Sequence, residues 1–567
     1  MKQFFKFMFA SLLGFLIGSM LLFFFMLGLF ASIASFSKRD AVTVSPNTVL
    51  HLSFETEVVD RGGQNPFENA DFLSLSLGRT MGLNDILNNL KKAAEDENIE
   101  GIFLDLSIAR AGWATSSEIR QALLEFKESG KFIISYGEAY TQNAYYLASV
   151  ADKVYLHPEG GIDFRGLNAE LLFFKNMLDK LGIDAQVIRH GKFKSAGEPF
   201  FLDRMSQENR EQVMAYIGSI WNNVMADIAE SRGLTINKLN QVADEFLTRN
   251  PTLAMEWGMI DGIMHRDEVY MAINEMLGME SEKKPELISM SRYIRAPLPK
   301  SMVTPRSRDK VAVIYASGNI LPGKGGEQTI GSAGMSEAIR QARLDSSVKA
   351  IVFRINSPGG SAMASDVILR EIKLAAKEKP VIASMGDVAA SGGYYIACAA
   401  DLIIASPTTI TGSIGVFGMI PNMQNFFNQK LGITFDNVKT NELADLATIT
   451  RPLTQTEKNL IQEEIERVYE TFIGHVASGR NIPVTTVDEL GQGRVWSGAE
   501  ARSIGLIDEF GGLSHAIEKA VEMAGLETYR VVEYPTRKDF LTRLMEDFGG
   551  VQERLIEKRL GIAYQYY

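Results

Sequence analysis

Residues 386–401 read GDVAASGGYYIACAAD, and a near copy, GEAYTQNAYYLASVAD, occupies residues 137–152. Aligned without gaps, the stretches 135–158 and 384–407 are identical at eight of 24 positions. Solenoid repeats have periods of roughly 20–50 residues, whereas the two stretches here lie about 250 residues apart. The chain is therefore predicted to contain one domain twice.

The likeness between the two copies extends beyond this segment. GIFLDLS (101–107) corresponds to AIVFRIN (350–356), and LGIDAQVI (181–188) corresponds to LGITFDNV (431–438) after one extra residue. In the second copy the apolar runs VAVIYA, AIVFRI, PVIASM and DLIIAS alternate with the amphipathic stretches GMSEAIRQARLD and SDVILREIKLAAKE. Such alternation of strands and helices implies parallel sheets joined by right-handed crossovers, so the predicted fold class is α/β.

The N-terminus carries an uncharged apolar run over residues 7–36. About 20 apolar residues span a bilayer, whereas a secretory signal has an apolar core of about 7–15 residues. The run is therefore interpreted as an uncleaved transmembrane helix; the alternative is a signal that is cleaved at ASIAS (31–35). Lys2 and Lys6 precede it, and Lys38 and Arg39 follow it. The positive-inside rule thus favours a cytoplasmic N-terminus only weakly.

The repeat, the apolar run and a stretch rich in proline, serine and charge divide the chain. The predicted segments are a cytoplasmic stub with a transmembrane anchor (1–40), a first repeat (47–280), a linker (281–308), a second repeat (309–535) and a helical C-terminal tail (536–567).

Composition excludes several classes of function. The net charge is −11, which argues against nucleic-acid binding because that requires basic surfaces. The single cysteine, Cys398, cannot form an intrachain disulfide, and its apolar surroundings predict a buried small side chain. The six histidines are scattered, and none belongs to an HExxH or Cys/His pattern, so no metal site is predicted.

Ser391 is the candidate nucleophile. The two glycines that follow it remove side chains next to its hydroxyl, so a substrate backbone can approach closely. Upstream, NSPGGSA (356–362) follows the predicted strand AIVFRI, and a Gly-Gly turn at a strand end can aim backbone N–H groups at a carbonyl oxygen. The alternative is that Ser391 only caps the following helix and that the glycines form an ordinary loop.

A serine nucleophile needs a general base. No histidine has a local context that recommends it, so a lysine is the other option, as in known Ser–Lys pairs. A lysine acts as a base only if its pKa is lowered, which burial does by up to about 3–5 pH units.

These motifs resemble those of the signal peptide peptidase A family, also called protease IV, in its long duplicated form. The likeness covers nearly the whole chain and is most specific in NSPGGSA, MGDVAASGGYYIACAAD, TGSIGV and HGKFKSAGEPF. The resemblance implies a ClpP/crotonase-like fold for both repeats. The roles that it implies are Ser391 as nucleophile, Lys194 as general base, Ser413 as the residue that orients this lysine, and Gly360 and Gly392 as the oxyanion hole.

The repeat alignment gives the two copies complementary losses. The first copy has Lys194 but carries Gln142 in place of the nucleophile, while the second has Ser391 but carries Ala444 opposite the lysine. Each copy is therefore expected to be inert alone, and the pair to build one active site, within one chain or across two. Lys192 is a weaker candidate for the base and is expected to be solvated.

The resemblance implies a membrane-anchored serine endopeptidase that degrades cleaved signal peptides and other apolar peptides. It implies that the protein lies in the bacterial inner membrane with its catalytic part on the periplasmic side. The implied mechanism requires no metal or other cofactor. The expected partners are peptide substrates, the lipid bilayer and further copies of the chain, a tetramer by family resemblance.

Two other functions stay open from the residues alone. A crotonase-like enzyme acting on acyl-CoA thioesters would share the oxyanion hole but would not need a Ser–Lys pair, and a membrane anchor argues against a CoA substrate. A non-enzymatic membrane scaffold would use the repeats as assembly modules. Labelling of Ser391 by an acylating reagent would separate the peptidase from both.

Overall fold

The computed structural model describes residues 2–37, 42–62, 70–71, 76–77, 80–302, 307–326 and 328–536. The N-terminal segment is one helix, α1 (Lys2–Ser37). Its window Gln3–Phe25 is long and apolar enough to cross a membrane, by length and composition, and none of the window is buried against the rest of the described chain. The predicted C-terminal tail lies outside the described residues from position 537 onward.

The first repeat is an α/β unit with helices packed around a parallel sheet. Its strands are β1 (Thr48–Phe54), β2 (Glu57–Val59), β3 (Ala70–Asp71), β4 (Ser76–Leu77), β5 (Thr80–Gly82), β6 (Ile99–Ala109), β7 (Phe132–Gly137), β8 (Lys153–Leu156), β9 (Asp184–His190), β10 (Gly262–Ile263) and β11 (Leu287–Ser289). Its helices are α2 (Leu83–Glu95), α3 (Trp113–Lys127), α4 (Gln142–Ala148), α5 (Lys175–Leu181), α6 (Glu198–Phe201), α7 (Gln207–Arg232), α8 (Ile236–Asp244), α9 (Pro251–Glu256), α10 (Arg266–Met276) and α11 (Met290–Tyr293). The sheet has the strand order β10-β8-β7-β6-β1-β11.

The second repeat has the same architecture. Its strands are β12 (Lys310–Ser317), β13 (Asn319–Leu321), β14 (Gly325–Gly326), β15 (Thr329–Gly331), β16 (Val348–Ser357), β17 (Val381–Ala390), β18 (Leu402–Ala405), β19 (Ile410–Gly412), β20 (Val416–Asn422), β21 (Val495–Ser497), β22 (Glu509–Phe510) and β23 (Arg530–Tyr534). Its helices are α12 (Ser332–Leu344), α13 (Ala362–Ala375), α14 (Gly392–Ala397), α15 (Gln455–Arg480), α16 (Val484–Leu490), α17 (Gly498–Ser503) and α18 (Leu513–Met523). A 3₁₀ helix (Lys300–Met302) precedes this repeat, and a π-helix (Phe426–Leu431) interrupts it.

The sheet of the second repeat has the order β21-β19-β17-β16-β12-β23, with β18 and β22 extending from β17. Its strands are parallel except β21, which pairs antiparallel with β19. Parallel strands are covered by helices on both faces, so they form nearly continuous apolar runs. This burial explains why the predicted strands and helices of the second copy are found where the sequence places them, and it confirms two α/β repeats with parallel sheets.

The predicted linker differs from the structure. Within 281–308, strand β11 pairs parallel with β1 as the edge of the first sheet, and helix α11 follows it directly. Ile288 and Tyr293 are buried there, so hydrophobic burial outweighs the proline and charge of the surrounding residues. Part of the segment predicted as a linker is therefore an element of the first repeat.

The two repeats share a buried interface. One hydrophobic cluster contains residues of both, for example Ile119 of α3 together with Val352 of β16. Within this interface the Arg354 guanidinium is fully buried and forms ion pairs with Asp60 at 2.7 Å and Glu118 at 2.6 Å. Breaking such a pair leaves an uncompensated buried charge, which costs about 3–5 kcal/mol. The interface therefore holds the two repeats in a defined relative position.

A second connection between the repeats is an antiparallel ribbon. Strand β9 of the first repeat pairs with β20 of the second over seven positions, from Asp184 opposite Asn422 to His190 opposite Val416. In the chain, the two strands of this ribbon adjoin the segments that contain Lys194 and Ser413.

Candidate active site

The candidate nucleophile lies in a tight turn between a strand and a helix of the second repeat. Ser391 stands between β17 and α14 with φ 55 and ψ −118. A positive φ is strained for a residue other than glycine, and such strain persists mostly at functional sites. The Ser391 side chain makes no capping hydrogen bond. Its interpretation as a simple helix cap is therefore wrong, and its hydroxyl is available for other contacts.

The candidate base enters from the first repeat. Lys194 follows β9, is 4% exposed, and places its Nζ 3.0 Å from the Ser391 Oγ. The same Nζ donates to the Ser413 Oγ at 3.0 Å and to the Ser413 carbonyl at 3.1 Å. Burial lowers the pKa of Lys194 to about 8, because a charged amine is disfavoured away from water. Lys192 is exposed, with its Nζ over the Phe193 ring.

Ser413 is held by the backbone around it. It lies between β19 and β20 with φ 50, and its amide donates to the carbonyl of Arg494 at 2.7 Å. The hydroxyl and carbonyl of Ser413 thus both face the Lys194 amine, which fixes the direction in which that amine points.

The two candidate oxyanion amides lie close to each other. Gly360 forms an isolated parallel bridge with Ile320, and a Cβ built on Gly392 would lie 3.1 Å from the Gly360 nitrogen. Gly359 and Gly360 have φ 106 and φ 153, which favour glycine, and a Cβ on Gly359 would lie 2.6 Å from the Gly392 nitrogen. Among the described residues, neither the Gly360 nor the Gly392 amide donates to another group of the chain. Both can therefore donate to an oxyanion next to Ser391.

The positions that align with Ser391 and Lys194 in the opposite repeat, Gln142 and Ala444, do not form a second site. Gln142 begins α4, and its Oε1 accepts from the backbone N–H groups of Arg165 and Gly166, each at 3.0 Å. Ala444, which aligns with Lys194, lies on an exposed irregular segment. The structure thus brings the lysine of the first repeat and the serine of the second together within one chain.

Sequence reasoning missed the residues that form the wall around Lys194. Gly493 has φ 77, and a Cβ there would lie 2.5 Å from the Lys194 Cβ. A Cβ on Gly415 would lie 3.2 Å from the Lys194 Cδ. The available signal is the glycine pair in GQGR (491–494). It carries no chemistry of its own, and its contact with the first repeat is visible only in the folded chain.

The arrangement has the parts that acyl transfer requires. It contains a serine hydroxyl, a buried amine with lowered pKa at hydrogen-bonding distance, and two backbone amides beside the same hydroxyl. Within the described residues no group of three or more His, Cys, Asp or Glu side chains could hold a metal ion.

Comparison with known proteins agrees with the repeat. The family model described as peptidase family S49 matches residues 125–280 and again residues 373–527. The chain is 36% identical over 495 residues to Protease 4 of Haemophilus influenzae, covering 84% of this chain and 80% of the relative. It is 35% identical over 492 residues to the chloroplastic serine protease SPPA of Arabidopsis thaliana, covering 86% of this chain and 72% of the relative. Among solved structures, a ClpP1 mutant from Listeria monocytogenes matches with a TM-score of 0.24 at 16% identity, covering 36% of this chain and 94% of that chain.

Proposed function

The chain belongs to peptidase family S49 and is a serine peptidase, and from this premise we propose that Ser391 and Lys194 form its catalytic dyad. The observation that carries the proposal is the 3.0 Å approach of the buried Lys194 Nζ to the Ser391 Oγ. Peptidase membership also supports hydrolysis over acyl-CoA chemistry or scaffolding.

The mechanism follows from these positions. Neutral Lys194 accepts the proton of the Ser391 hydroxyl while the oxygen attacks the carbonyl carbon of the scissile peptide bond. The amides of Gly360 and Gly392 donate to the oxyanion that forms. Protonated Lys194 then gives its proton to the leaving amine, which departs with the electrons of the C–N bond. Water then gives a proton to Lys194 and attacks the acyl carbon, the bond between that carbon and the Ser391 oxygen breaks, and the serine oxygen takes the proton back from Lys194. Ser413 keeps the amine directed at the hydroxyl throughout.

The substrates that we propose are apolar peptides, including the remnants of cleaved signal sequences. Exposed apolar side chains lie on chain segments that adjoin the candidate site residues: Leu321 is 45% exposed, Met363 is 67% exposed, and Phe417, four positions after Ser413, is 38% exposed. Leu321 follows the residue bridged to Gly360, and Met363 lies in the first turn of α13 just after that glycine. Contact with an apolar peptide would remove this surface from water, which stabilises the complex by about 25 cal/mol for each Å² of apolar surface buried.

We propose that α1 anchors the protein in the inner membrane with the catalytic part on the periplasmic side. The support is the apolar helix at the N-terminus and the two lysines that precede its core. A protease added to intact spheroplasts is expected to digest the chain beyond the anchor. Full protection until the spheroplasts are lysed would contradict this orientation.

The experiment that tests the catalytic proposal is Ser391→Ala in the purified full-length protein. The substitution removes the nucleophile and changes little volume, so the fold should persist while hydrolysis of an apolar peptide falls by about 10⁴–10⁶. Circular dichroism checks the fold. Retention of more than a few per cent of the rate would show that the nucleophile lies elsewhere.

We propose a second copy of the chain as a partner, assembled head to tail. Within the chain, 184–190 pairs with 416–422. By the repeat alignment, the counterparts of these strands are 434–440 and 167–173, which both have irregular backbone, and every residue of 434–440 is exposed. Unpaired extended segments can pair with another chain, and repeated head-to-tail contacts form a ring when the rotation between successive copies closes. The family resemblance implies four copies.

Disulfide trapping tests this pairing. Met419 lies opposite Val187, so their counterparts Glu170 and Asn437 should be neighbours across the interface. Glu170→Cys combined with Asn437→Cys should give disulfide-linked chains on mild oxidation, because the native Cys398 is buried. Glu170→Cys combined with Gln455→Cys, at an exposed position on α15, is the control. Equal cross-linking of both pairs, or none in the first, would contradict the proposed contact.

A further inference from the structure

One buried side chain outside the dyad contacts loops from both repeats. Gln212 on α7 is 1% exposed. Its Nε2 donates to the Phe193 carbonyl at 3.0 Å and to the Ser195 Oγ at 2.8 Å. Phe193 and Ser195 are the two neighbours of Lys194 in the chain, so this amide forms hydrogen bonds to the residues immediately before and after the proposed base.

The other end of the same amide holds the second repeat. The Gln212 Oε1 accepts from the backbone N–H of Val495 at 3.1 Å. The carbonyl of the preceding residue, Arg494, accepts a hydrogen bond from the Ser413 amide at 2.7 Å. A path of hydrogen bonds therefore runs from the Lys194 loop through Gln212 and the 494–495 backbone to Ser413.

The helix that carries Gln212 is itself fixed to the Lys194 loop. Glu198 is fully buried, and its carboxylate accepts from the hydroxyl of Ser206, the N-cap of α7, at 2.6 Å and from the side chain of Asn209, in the first turn of α7, at 2.9 Å. The same carboxylate pairs with Arg189 at 3.3 Å, and Arg189 donates to the Lys194 carbonyl at 2.8 Å. The N-terminal part of α7, which carries Gln212, is thus connected by hydrogen bonds and an ion pair to the loop that contains Lys194.

We propose that Gln212 is a positioning residue, which sets the distance between the Lys194 loop of the first repeat and the Ser413 loop of the second. The proposal rests on the proposed function of Lys194 as the base. A buried amide with both ends engaged has one orientation that satisfies its donors and its acceptor. Loss of its bonds would let the lysine move away from Ser391 and toward water, where its amine would be protonated more readily.

Three variants of the full-length protein test the proposal. Gln212→Leu keeps a similar volume and removes every hydrogen bond of the amide. Gln212→Glu keeps an acceptor for the Val495 amide but removes the donors to Phe193 and Ser195. Gln207→Leu, at an exposed position in the first turn of the same helix, is the control for substitution on α7. Lys194→Ala, measured beside them, reports on the base itself.

Steady-state hydrolysis of an apolar peptide is measured from pH 6 to 10, with the active enzyme concentration set by titration with an acylating inhibitor. For Gln212→Leu we expect kcat to fall about 10–100-fold, as for residues that orient a reacting group, with KM within about threefold of the unchanged enzyme. The pH midpoint of kcat/KM should move upward. Gln212→Glu should lie between Gln212→Leu and the unchanged enzyme, and Gln207→Leu should match the unchanged enzyme.

Unchanged kcat and an unchanged pH midpoint in folded Gln212→Leu would overturn the proposal while Lys194→Ala stays inactive. If Gln212→Leu does not fold, Gln212→Glu decides in the same way. A purely structural role would lower the active fraction and the melting temperature without moving the pH midpoint of the active molecules, and would also overturn it. Activity of Lys194→Ala would instead refute the proposed function on which the inference rests.

Discussion

The rate of peptide hydrolysis should rise with pH through a midpoint near 8, because in the proposed mechanism only neutral Lys194 accepts the Ser391 proton. Burial lowers the pKa of Lys194 from its ordinary 10.5 to about 8. The Nζ contacts three oxygens, and all belong to hydroxyl or carbonyl groups of Ser391 and Ser413. None of these is a carboxylate that would hold the proton on the amine.

The size of the effect follows from the pKa. With a midpoint of about 8, roughly 9% of the amine is neutral at pH 7 and about 1% at pH 6, so kcat/KM should change by about tenfold between these values. At the ordinary pKa, only about 0.03% would be neutral at pH 7. Burial therefore raises the population of competent base about 300-fold at that pH.

The assay is kcat/KM for an uncharged fluorogenic apolar peptide, measured from pH 6 to 10 at constant ionic strength in detergent. A substrate without titratable groups ensures that the profile reports the free enzyme. Lys194→Ala supplies the background rate. A flat profile, or a midpoint above about 9.5 where an exposed lysine titrates, would refute the assignment of a buried lysine as the base.

Three further predictions concern single substitutions. Ser413→Ala should lower kcat about 10–100-fold, because the hydroxyl orients the amine but makes no bond to substrate; unchanged kinetics would remove it from the site. Lys192→Ala should keep nearly full activity, whereas Lys194→Ala should lose about 10⁴–10⁶; the reverse order would move the base by two residues. Lys194→Met should raise the free energy of unfolding by about 3 kcal/mol at pH 7, because it removes an amine whose pKa falls from 10.5 in the unfolded chain to about 8 in the folded protein. Each unit of that shift costs about 1.4 kcal/mol. The unfolded chain binds more protons between those pKa values, so the unchanged protein is stabilised as pH rises through that window and the gain should shrink to about 1 kcal/mol at pH 10. A gain independent of pH in chemical denaturation would contradict this.

Much of the fold could be predicted because its signals are local. Buried parallel strands such as VAVIYA and AIVFRI form apolar runs, and the stretches GMSEAIRQARLD and SDVILREIKLAAKE that come after them have a recognisable helical period. Strands whose partners are distant were harder to predict. LGIDAQVI and LGITFDNV match in sequence, yet only the first contains a strand, since its partner β20 comes from the other repeat. Strand β11, inside the predicted linker, likewise depends on pairing with β1.

For the site, the complementary losses at Gln142 and Ala444 pointed to a pair that no local pattern specifies. The structure brings Ser391, Lys194 and Ser413 within hydrogen-bonding distance. Gln212 could not be found in this way. Its contacts go to the Phe193 carbonyl, to the Ser195 hydroxyl and to a backbone N–H group 283 residues later in the chain. None of these contacts leaves a pattern of residue types at a fixed spacing.

The central claim is that one active site is built from the two repeats of one chain. The most direct test is the rate at which an acylating serine reagent modifies Ser391, followed by mass spectrometry of the labelled peptide. Labelling should occur at Ser391 in the unchanged protein. It should be lost in Lys194→Ala, and it should stay lost when Lys194→Ala chains are co-assembled with Ser391→Ala chains, because the two groups meet within one chain. Labelling of Lys194→Ala at the unchanged rate, or its recovery in the mixed assembly, would contradict the claim.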